Sequence, residues 1–443
     1  MRVLVIGSGG REHALAWKIK QSPLLGELFH HPSHPCSKWM GSPLCLEQKD
    51  ITDGELADAA VAAKIDLVVV GPEGPLANGL ADRLRNAGIC VFGPGREGAK
   101  LESSKAFAKE FMERAHVPTA RYQLCSGREP TMECARGWLK KSGGVVLKAS
   151  GLAGGKGVFV CTQSAQLVEA AEHLFKGEMA NAAAQVVVEE LMVGRESSFF
   201  VLLDTENQVS TYQVIGSAVD YKRLKTGNLG PNTGGMGGYA PVPWVTDKMD
   251  EQVCNTIVEP VVCRLKAEGI SYRGLLYVGL MWTGDGPKVV EFNCRFGDPE
   301  AEILAVADVR DWLPMLAAAA GVEGFSLDSS SDAKMRATVA VVIASGDYPF
   351  GLPSGGAPVP LSAYPIGSGE FEDVSGICSY LFGAGVRRVS DGSFGYGKGR
   401  MLVAVACGDN FAQARHMVHE RVARISLLWP EAQWRTDIAA EVL

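Results

Sequence analysis

The segment 146–160 reads V-L-K-A-S-G-L-A-G-G-K-G-V-F-V and combines two lysines with a glycine-rich loop. Lys148 lies on the first apolar run and Lys156 lies inside the loop, whose glycines are Gly151, Gly154, Gly155 and Gly157. Glycine lets backbone N–H groups approach anionic oxygens closely, and lysine adds positive charge. The pattern predicts a strand–loop–strand flap that closes over phosphates. A flexible surface hairpin with solvated lysines is the alternative, and the loop taken alone favours it.

A second group of candidate residues lies in V-V-E-F-N-C-R-F-G-D-P-E, residues 289–300. Glu291 and Asn293 are two residues apart on a predicted strand, so both side chains point to one face. A carboxylate and an amide oxygen suit Mg²⁺, which takes few protein ligands and completes its shell with nucleotide phosphates. Arg295 shares this face if the strand continues, and its guanidinium could then hold a transferring phosphoryl group. The alternative is an edge strand with a polar outer face, but the buried polar positions would then need partners.

Two common nucleotide-binding fingerprints do not fit this chain. The Walker A motif requires Ser or Thr directly after the lysine, where Gly157 follows Lys156. The stretch Gly7–Glu12 begins like a dinucleotide-binding loop, but Glu12 occupies the position of the third glycine.

Two weaker patterns complete the set. The segment 230–237, G-P-N-T-G-G-M-G, exposes enough backbone for close approach to a ligand, although a plain Ω-loop is the alternative. The charged residues that precede it are Asp220, Lys222 and Arg223. The strand exit V-V-V-E-E-L (186–191) could bind an adenine edge through its backbone, and Glu196 could hold ribose hydroxyls.

The elements that must position these residues alternate between strands and helices in the first hundred residues. Continuous apolar runs at 2–6, 65–70 and 89–92 are typical of strands buried on both faces, so they predict a parallel sheet. A helix is expected over Arg11–Lys20 and another over Glu102–Arg114. The segment His30–Gln48 is broken by proline and is interpreted as a loop, in preference to a metal site built on its histidines.

The rest of the chain divides into a smaller unit at about 121–189, a larger mixed region to about 325, and a compact α+β portion with antiparallel strands. A Ser/Asp-rich linker is predicted after 324–326. The length of 443 residues fits about three domains.

Composition excludes several classes of protein. Hydrophobic residues make up 47% and charged residues 21%, as in soluble globular proteins, and the net charge of -7 argues against nucleic acid or an anionic membrane as the main partner. We expect no signal peptide and no membrane span. The 11 cysteines are scattered and never spaced C-x-x-C, which favours reduced thiols in the cytoplasm.

Together these motifs resemble the ATP-grasp superfamily and, within it, the phosphoribosylamine–glycine ligase (glycinamide ribonucleotide synthetase) family of purine synthesis. The segments that carry the resemblance span nearly the whole chain in the family's order: 3–17, 70–76, 103–109, 148–158, 230–237, 293–300 and 435–438. The resemblance implies an α/β and α+β multidomain fold. It comprises a Rossmann-like N-domain (1–101), ATP-grasp central domains (102–325, with a lid at 121–189) and a small α+β C-terminal domain (326–443).

The resemblance also implies roles for individual residues. Lys105 and Lys148 would bind ATP phosphates, and Gly151–Gly157 with Lys156 would close over the nucleotide. Glu189, Glu190 and Leu191 would contact adenine, and Glu196 the ribose. Glu291 and Asn293 would hold Mg²⁺ or Mn²⁺. The implied catalytic residues are Arg295, Lys148 and Asp220. The implied substrate-binding residues are Gly9, Gly10, Arg11, Glu12, Glu73, Asp220, Lys222, Gly234, Gly235, Arg295, Gly297, Asp298 and Glu300.

The implied reaction uses three small molecules: glycine, 5-phosphoribosylamine and ATP. The glycine carboxylate would attack the γ-phosphate to give glycyl phosphate, which the amine of phosphoribosylamine then converts to an amide. This chemistry depends on positioning and charge neutralisation rather than on a covalent nucleophile. We expect a cytoplasmic monomer with no nucleic-acid or membrane partner.

The chain differs from the family pattern at four places, and three hypotheses about its function follow. The family's P-G-N-x-G is replaced by H-H-P-S-H-P-C (30–36), its K-A-D-G by a sequence with Ser150, its Q-D-H-K-R by 219–223, and its H-A-G-T by 382–386. Several of these lie where the family recognises phosphoribosylamine. The first hypothesis is the family activity itself. The second is an amide ligase of the same fold for another amine or carboxylate, and the third is a non-catalytic nucleotide-binding regulator.

Overall fold

The N-terminal part of the chain is a five-stranded parallel sheet with strand order β3-β2-β1-β4-β5. The computed structural model describes residues 1–32, 41–44, 51–154, 156–177, 179–207, 211–328, 335–349, 371–372, 378–388, 394–395, 399–427 and 429–443. The strands are β1 (Arg2–Ile6), β2 (Glu27–His31), β3 (Ser42–Pro43), β4 (Leu67–Val70) and β5 (Cys90–Phe92). All four strand pairings are parallel, as the continuous apolar runs predicted.

Five helices in the described part of the N-terminal region accompany this sheet. They are α1 (Gly10–Ile19), α2 (Asp53–Ala62), α3 (Glu73–Asn78), α4 (Leu80–Asn86) and α5 (Arg96–Ser103). Leu4 and Ile6 of β1 pack with β4 and with α2 to α4 in one apolar core, which fixes the loop after β1 beside the loop after β4.

The interpretation of His30–Gln48 as a loop is wrong at two places. His30 and His31 belong to β2 and pair with Val5 and Ile6, and Ser42–Pro43 forms β3. Both imidazoles are buried, and burial lowers the pKa of each, so they pack as neutral groups. The prediction failed because histidine and proline in the sequence suggested an exposed polar loop. Residues 33–40 and 45–50 lie outside the described part of the chain.

A four-stranded antiparallel sheet, called the lid sheet below, contains the glycine-rich loop. Its strands are β6 (Tyr122–Cys125), β7 (Val145–Ala149), β8 (Val158–Cys161) and β9 (Val186–Glu190), in the order β6-β9-β7-β8. The helices α7 (Arg128–Ser142), α8 (Ser164–Leu174) and α9 (Met179–Ala182) accompany it. The hairpin β7–β8 therefore carries the predicted flap, with Lys148 opposite Val158.

The largest element is a nine-stranded sheet that continues from the central region into the C-terminal region. Its order is β16-β15-β10-β11-β14-β17-β22-β19-β18. Its strands are β10 (Arg195–Asp204), β11 (Tyr212–Asp220), β14 (Gly237–Ala240), β15 (Arg273–Thr283), β16 (Gly286–Asn293), β17 (Ala337–Ala344), β18 (Phe371–Glu372), β19 (Cys378–Gly383) and β22 (Arg400–Gly408). All eight pairings within it are antiparallel.

The remaining elements cover this sheet or extend from it. Two short ribbons pair β12 (Arg223–Lys225) with β13 (Leu229–Asn232), and β20 (Arg387–Arg388) with β21 (Phe394–Gly395). The further helices are α6 (Lys105–Arg114), α10 (Asp247–Val253), α11 (Glu259–Ala267), α12 (Glu300–Ala307), α13 (Trp312–Ala319) and α14 (Phe411–Ser426). One apolar core joins α1, α12 and α13 to strands of both large sheets. No helix in the described part of the chain has the length and apolarity to cross a membrane.

The predicted helix Glu102–Arg114 is two helices. Ser104 has extended backbone angles, ends α5 and accepts a hydrogen bond from the Phe107 backbone N–H as the N-cap of α6. Glu102 therefore lies in the last turn of one helix and Lys105 begins the next, and both residues line a cleft between these elements and the two antiparallel sheets.

The C-terminal segment 435–441 fastens the loop that follows β11. The guanidinium of Arg435, which is fully buried, donates to the two carboxylate oxygens of Asp437 at 2.8 and 2.6 Å and to the Arg223 carbonyl at 3.0 Å. It also lies 4.7 Å from the centre of the Tyr221 ring. Asp437 in turn accepts from the Gly227 backbone N–H at 2.9 Å.

We predict that Arg435→Met lowers the free energy of unfolding by about 2 kcal/mol, because Asp437 and the Arg223 carbonyl lose their buried donor. Differential scanning calorimetry would detect this as a lower midpoint than that of the wild type. Arg136→Met, which changes an exposed arginine on α7, is the matched control and should leave the midpoint unchanged. Equal midpoints for the two variants would contradict a stabilising role for the C-terminal segment.

Candidate active site

A cleft with a volume of about 1250 Å³ is lined by residues of the N-terminal region, the lid sheet and the nine-stranded sheet. This exceeds the roughly 300–1,000 Å³ of a typical small-molecule pocket, which leaves room for more than one ligand. The predicted residues that line it are Arg11, Glu73, Lys105, Lys148, Gly154, Lys156, Gly157, Glu189, Glu190, Leu191, Glu196, Asp220, Lys222, Gly234, Glu291, Asn293, Arg295, Gly297, Asp298 and Glu300. The predicted residues outside its lining are Gly9, Gly10, Glu12, Gly151 and Gly235, and Gly155 lies outside the described residues.

Glu189 joins two lysines at the base of the flap. Its carboxylate oxygens lie 2.5 Å from the Lys148 ammonium and 2.6 Å from the Lys109 ammonium, and all three side chains are buried. Lys148 also donates to the Val290 carbonyl at 2.9 Å, and Lys109 donates to the Thr119 hydroxyl at 2.8 Å. The lid sheet is thereby held against β16 and α6.

This cluster carries more positive than negative charge. Burial lowers the pKa of Lys109 to about 8, with Glu189 opposing the shift. Burial raises the pKa of Glu189, but the two lysines outweigh it and bring the pKa below its usual value. Two ammonium groups thus share one ionised carboxylate beside an open cleft, an arrangement that suits an anionic ligand.

The two glutamate side chains at the end of β9 are already held in ion pairs. The Glu189 carboxylate is held by the lysines, and the Glu190 carboxylate lies 2.6 Å from the Arg121 guanidinium. The Glu190 backbone N–H donates to the Arg121 carbonyl at 3.0 Å. The part of this exit that remains for a ligand is the backbone that follows the strand, beginning at Leu191.

Glu291 and Asn293 face the cleft from one side of β16, as predicted. Neither side chain has a hydrogen-bond or ion-pair partner among the residues that the structure describes. Burial raises the pKa of Glu291, but the cationic side chains of Lys105, Lys222, Lys148 and Arg295 outweigh burial and hold the pKa below its usual value. An ionised carboxylate and a free amide oxygen on one face fit a hard divalent cation.

The described residues contain no group of three or more His, Cys, Asp or Glu side chains placed to hold a metal ion. The pair Glu291 and Asn293 therefore fits only a cation that takes most of its ligands from water or from another ligand, as Mg²⁺ does with nucleotide phosphates.

Arg295 reaches the cleft by a route that the sequence argument did not foresee. The strand β16 ends at Asn293, so strand parity does not apply to Arg295. Its guanidinium lies 2.6 Å from Glu102 and 3.2 Å from Glu73. Burial lowers the pKa of Arg295, but the carboxylates of Glu102 and Glu73 outweigh burial and raise the pKa above its usual value. The guanidinium therefore stays charged. Glu102 was missed because the predicted helix concealed its position at the end of α5.

Lys222 stands between two acidic side chains of the cleft. Its ammonium lies 3.2 Å from Glu196 and 3.8 Å from Asp220. Asp220 and then Glu196 raise the pKa of Lys222 well above its usual value, so Lys222 stays charged. Three residues predicted from the weaker patterns, Glu196, Asp220 and Lys222, therefore form one connected group.

The loop after β1 is an internally bonded turn with one cleft-lining side chain. Glu12 accepts from the Gly9 backbone N–H at 2.6 Å and from the Arg11 side chain at 2.5 Å. A Cβ atom on Gly10 would lie 2.5 Å from a carboxylate oxygen of Glu302, which explains the need for glycine there. Of the four predicted residues in this turn, Arg11 lines the cleft.

Arg400, on β22, is a cleft residue that sequence analysis missed. Its guanidinium donates to the Gly234 carbonyl at 2.7 Å and lies 3.0 Å from the Asp298 carboxylate. Arg400 and Asp298 are 102 residues apart, so no local pattern could connect them. Lys109 carried a weak signal, because it follows Lys105 by four residues on one helix and so shares its face.

Models of one protein family match most of the chain. The phosphoribosylglycinamide synthetase N domain matches residues 1–102, the ATP-grasp (A) domain of the same family matches 103–301, and its C domain matches 338–441. These three matches follow one another in the order predicted from the motifs.

Curated relatives and solved structures agree with this match. A phosphoribosylamine–glycine ligase of Mesorhizobium japonicum is 41% identical over 99% of this chain and 97% of that protein. One of Salmonella typhimurium is 38% identical over 99% and 98%. The crystal structure of phosphoribosylamine–glycine ligase from Thermotoga maritima has a TM-score of 0.75 at 29% identity and covers 99% of this chain and 100% of that one.

A more distant structure shares the fold alone. A biotin carboxylase–ATP analogue complex from Campylobacter jejuni has a TM-score of 0.67 at 17% identity, and covers 98% of this chain and 91% of that one. The predicted α/β and α+β multidomain fold, with its ATP-grasp region, is confirmed, and the chain belongs to the phosphoribosylamine–glycine ligase family.

Proposed function

We propose that this chain ligates glycine to 5-phosphoribosylamine, with conversion of ATP to ADP and phosphate through a glycyl phosphate intermediate. The observation that carries the proposal is the single cleft in which a lysine-bearing glycine flap faces the acid–amide pair Glu291 and Asn293. Family membership supplies the substrates, and the cleft volume accommodates both of them with the nucleotide.

The triphosphate is held by the lysines at the base of the flap. Lys148 and Lys105 bind its phosphates, and Gly151–Gly157 with Lys156 fold over it, so that water is excluded from the acyl phosphate. Lys148 already stands between the flap and β16 in the structure, which supports this role. Lys109 keeps Glu189 charged and in place when Lys148 turns to the phosphate.

Adenosine is bound at the exit of β9. Because the carboxylates of Glu189 and Glu190 are engaged in ion pairs, adenine is recognised by the backbone from Glu190 to Leu191. Glu196, which lies within reach of Lys222, binds the ribose hydroxyls.

Glu291 and Asn293 hold the divalent cation, for which we propose Mg²⁺ with Mn²⁺ as a substitute. When bound, such a cation neutralises phosphate charge and orients the γ-phosphate. Arg295, fixed by Glu73 and Glu102, faces the same phosphate and stabilises the charge that develops during transfer.

The two substrates occupy the remainder of the cleft. Asp220 and Lys222 contribute opposite charges for the zwitterion glycine. The remaining substrate-binding residues are Gly9, Gly10, Arg11, Glu12, Glu73, Gly234, Gly235, Gly297, Asp298 and Glu300. Those outside the cleft lining, such as Glu12, act by shaping the loops that carry the others.

The setting of the enzyme is inferred from its chemistry. The eight cysteines whose side chains the structure describes are free thiols, which supports a reducing cytoplasm. We propose that the chain works as a monomer on small-molecule substrates, in a cleft lined by residues from all three regions of the same chain. The proposed domain limits are 1–101, 102–325 and 326–443.

We predict ADP release that depends on both glycine and freshly generated 5-phosphoribosylamine, measured with a coupled assay, and growth of a purine auxotroph that lacks this step. Tight ATP binding without turnover would reject the proposal and leave an amide ligase for another amine or carboxylate. A chain that binds ATP and turns over no carboxylate–amine pair would be a regulator.

Lys148→Ala should lower glycyl phosphate formation by at least about 100-fold, because an anchoring charge on the transferring phosphate is lost. Glycine-dependent isotope exchange within ATP measures this step. Lys140→Ala, on the exposed face of α7, is the control and should retain full exchange. Near-normal exchange in Lys148→Ala would mean that the flap does not serve the triphosphate.

Glu291→Gln should weaken divalent-cation binding in the presence of ATP. Loss of a supporting partner costs about 10–100-fold in metal affinity, and loss of a ligand should cost at least as much. Titration with Mn²⁺ followed by electron paramagnetic resonance measures the effect, and Glu133→Gln on α7 is the matched control. Unchanged Mn²⁺ affinity would place the cation elsewhere.

A further inference from the structure

Glu300 is a buried carboxyl group at the first position of α12 that lines the cleft. Its Oε1 accepts a hydrogen bond from the Tyr277 hydroxyl at 2.9 Å, and the Tyr277 oxygen accepts from the Ser198 hydroxyl at 2.7 Å. The chain Ser198–Tyr277–Glu300 thus runs from within the nine-stranded sheet to the cleft.

The chain has a fixed direction. Because Ser198 donates to Tyr277, the phenol has its own proton to donate, and this proton goes to Glu300. Burial raises the pKa of Tyr277 well above its usual value, so the phenol keeps that proton. Oε1 of Glu300 is therefore occupied as an acceptor.

The second oxygen of Glu300 is left for a ligand. No other residue in the described part of the chain donates a hydrogen bond to Oε2. A Cβ atom on Gly297 would lie 2.4 Å from Oε2, so the carboxyl group lies flat against the backbone at Gly297 and is fixed in position. A carboxyl group that lines the cleft, with one oxygen tethered and the other without a donor from another described residue, is placed to accept a proton.

The amide-forming step needs such an acceptor. The amine nitrogen attacks the carbonyl carbon of glycyl phosphate, the C–N bond forms, and the C–O bond to phosphate breaks with its electron pair leaving on phosphate. The attacking nitrogen must lose one proton for a neutral amide to result. No role assigned above removes that proton.

We propose that Glu300 is the general base of this step: its Oε2 accepts the proton of the attacking amine while Tyr277 positions the carboxylate through Oε1. Glu300 later returns the proton to the released phosphate, so the step balances without a further reactant. This inference rests on the proposed function.

The competing carboxylates of the cleft are less suited to the role. Asp220 is paired with Lys222, and Glu291 faces the cationic groups of the phosphate site and is assigned to the metal. Glu73 and Glu102 are paired with Arg295. The hydrogen-bond partner of Glu300 is instead the neutral Tyr277 hydroxyl, and Glu300 forms no ion pair among the described residues.

The charged groups around Glu300 bring its proton affinity into the working range. Burial and then Asp220 raise its pKa to about 7, against the hydrogen bond from its own backbone N–H, the hydrogen bond from Tyr277 and the charge of Lys222. The titratable or charged groups of the elements around it are Asp220, Lys222, Tyr277, Arg295, Asp298, Glu302 and Arg400. A base is most effective when its pKa is close to the operating pH.

The test separates the two halves of the reaction in Glu300→Gln. Glycyl phosphate formation, followed by glycine-dependent isotope exchange within ATP, should stay within about threefold of the wild type, whereas amide formation should fall by at least about 100-fold. In the wild type, kcat/KM should rise with pH through about 7 as Glu300 loses its proton. In Glu300→Gln this dependence should disappear, leaving only the ionisation of the amine substrate.

Two further variants distinguish a base from a structural group. Tyr277→Phe removes the donor that lowers the pKa of Glu300, so the rise of kcat/KM should move to higher pH with the exchange reaction retained. Glu302→Gln is the matched control: this neighbouring carboxyl on α12 is fully buried, lies outside the cleft lining, and has a pKa that burial raises well above the usual value. Its activity and pH profile should match the wild type.

Three results would overturn the inference: amide formation in Glu300→Gln within tenfold of the wild type, equal loss of both half-reactions, or an unmoved pH profile in Tyr277→Phe. Failure of the proposed function looks different, because the wild type itself would then form no amide with phosphoribosylamine.

Discussion

The ion-pair cluster of Lys109, Glu189 and Lys148 is the interaction on which the cleft depends. It buries two ammonium groups together with one carboxylate. Burying a charged side chain costs free energy unless an opposite charge lies beside it, so the three groups depend on one another. The same cluster bonds β9 to α6 and, through Lys148, to β16. A single carboxylate therefore sets both the position of the lid sheet and the excess positive charge that favours an anionic ligand.

The charges of the cleft are arranged around this cluster in separate pairs. Arg295 is fixed by Glu73 and Glu102, Lys222 by Asp220 and Glu196, and Arg400 by Asp298. Among the described residues of the lining, Lys105, Glu291 and Asn293 are side chains with no hydrogen-bond or ion-pair partner. Pre-paired side chains need no reorganisation when charge develops nearby, whereas unpaired ones are available to bind.

The sequence predicted structure correctly where a local repeat of residue types decides which side chains are buried. Continuous apolar runs predicted β1, β4 and β5, and two-residue spacing placed Glu291 and Asn293 on one face. It failed where distant segments meet or where a polar residue is buried. His30 and His31 pack inside β2, Ser104 separates two helices where one was predicted over Glu102–Arg114, and Arg400 reaches Asp298 from β22. Tyr277 looks like any core aromatic until the partners of its hydroxyl are known.

The nine-stranded sheet has a consequence for how such a chain can be divided. β14 is hydrogen-bonded to β11 on one side and to β17 on the other, so the backbone ladder continues across the region where the composition changes. A gene split between these strands would yield two pieces, each with a bare row of backbone donors and acceptors prone to edge-to-edge association. Evolution could therefore exchange the lid sheet as a module, but would have to inherit the central and C-terminal strands as one piece.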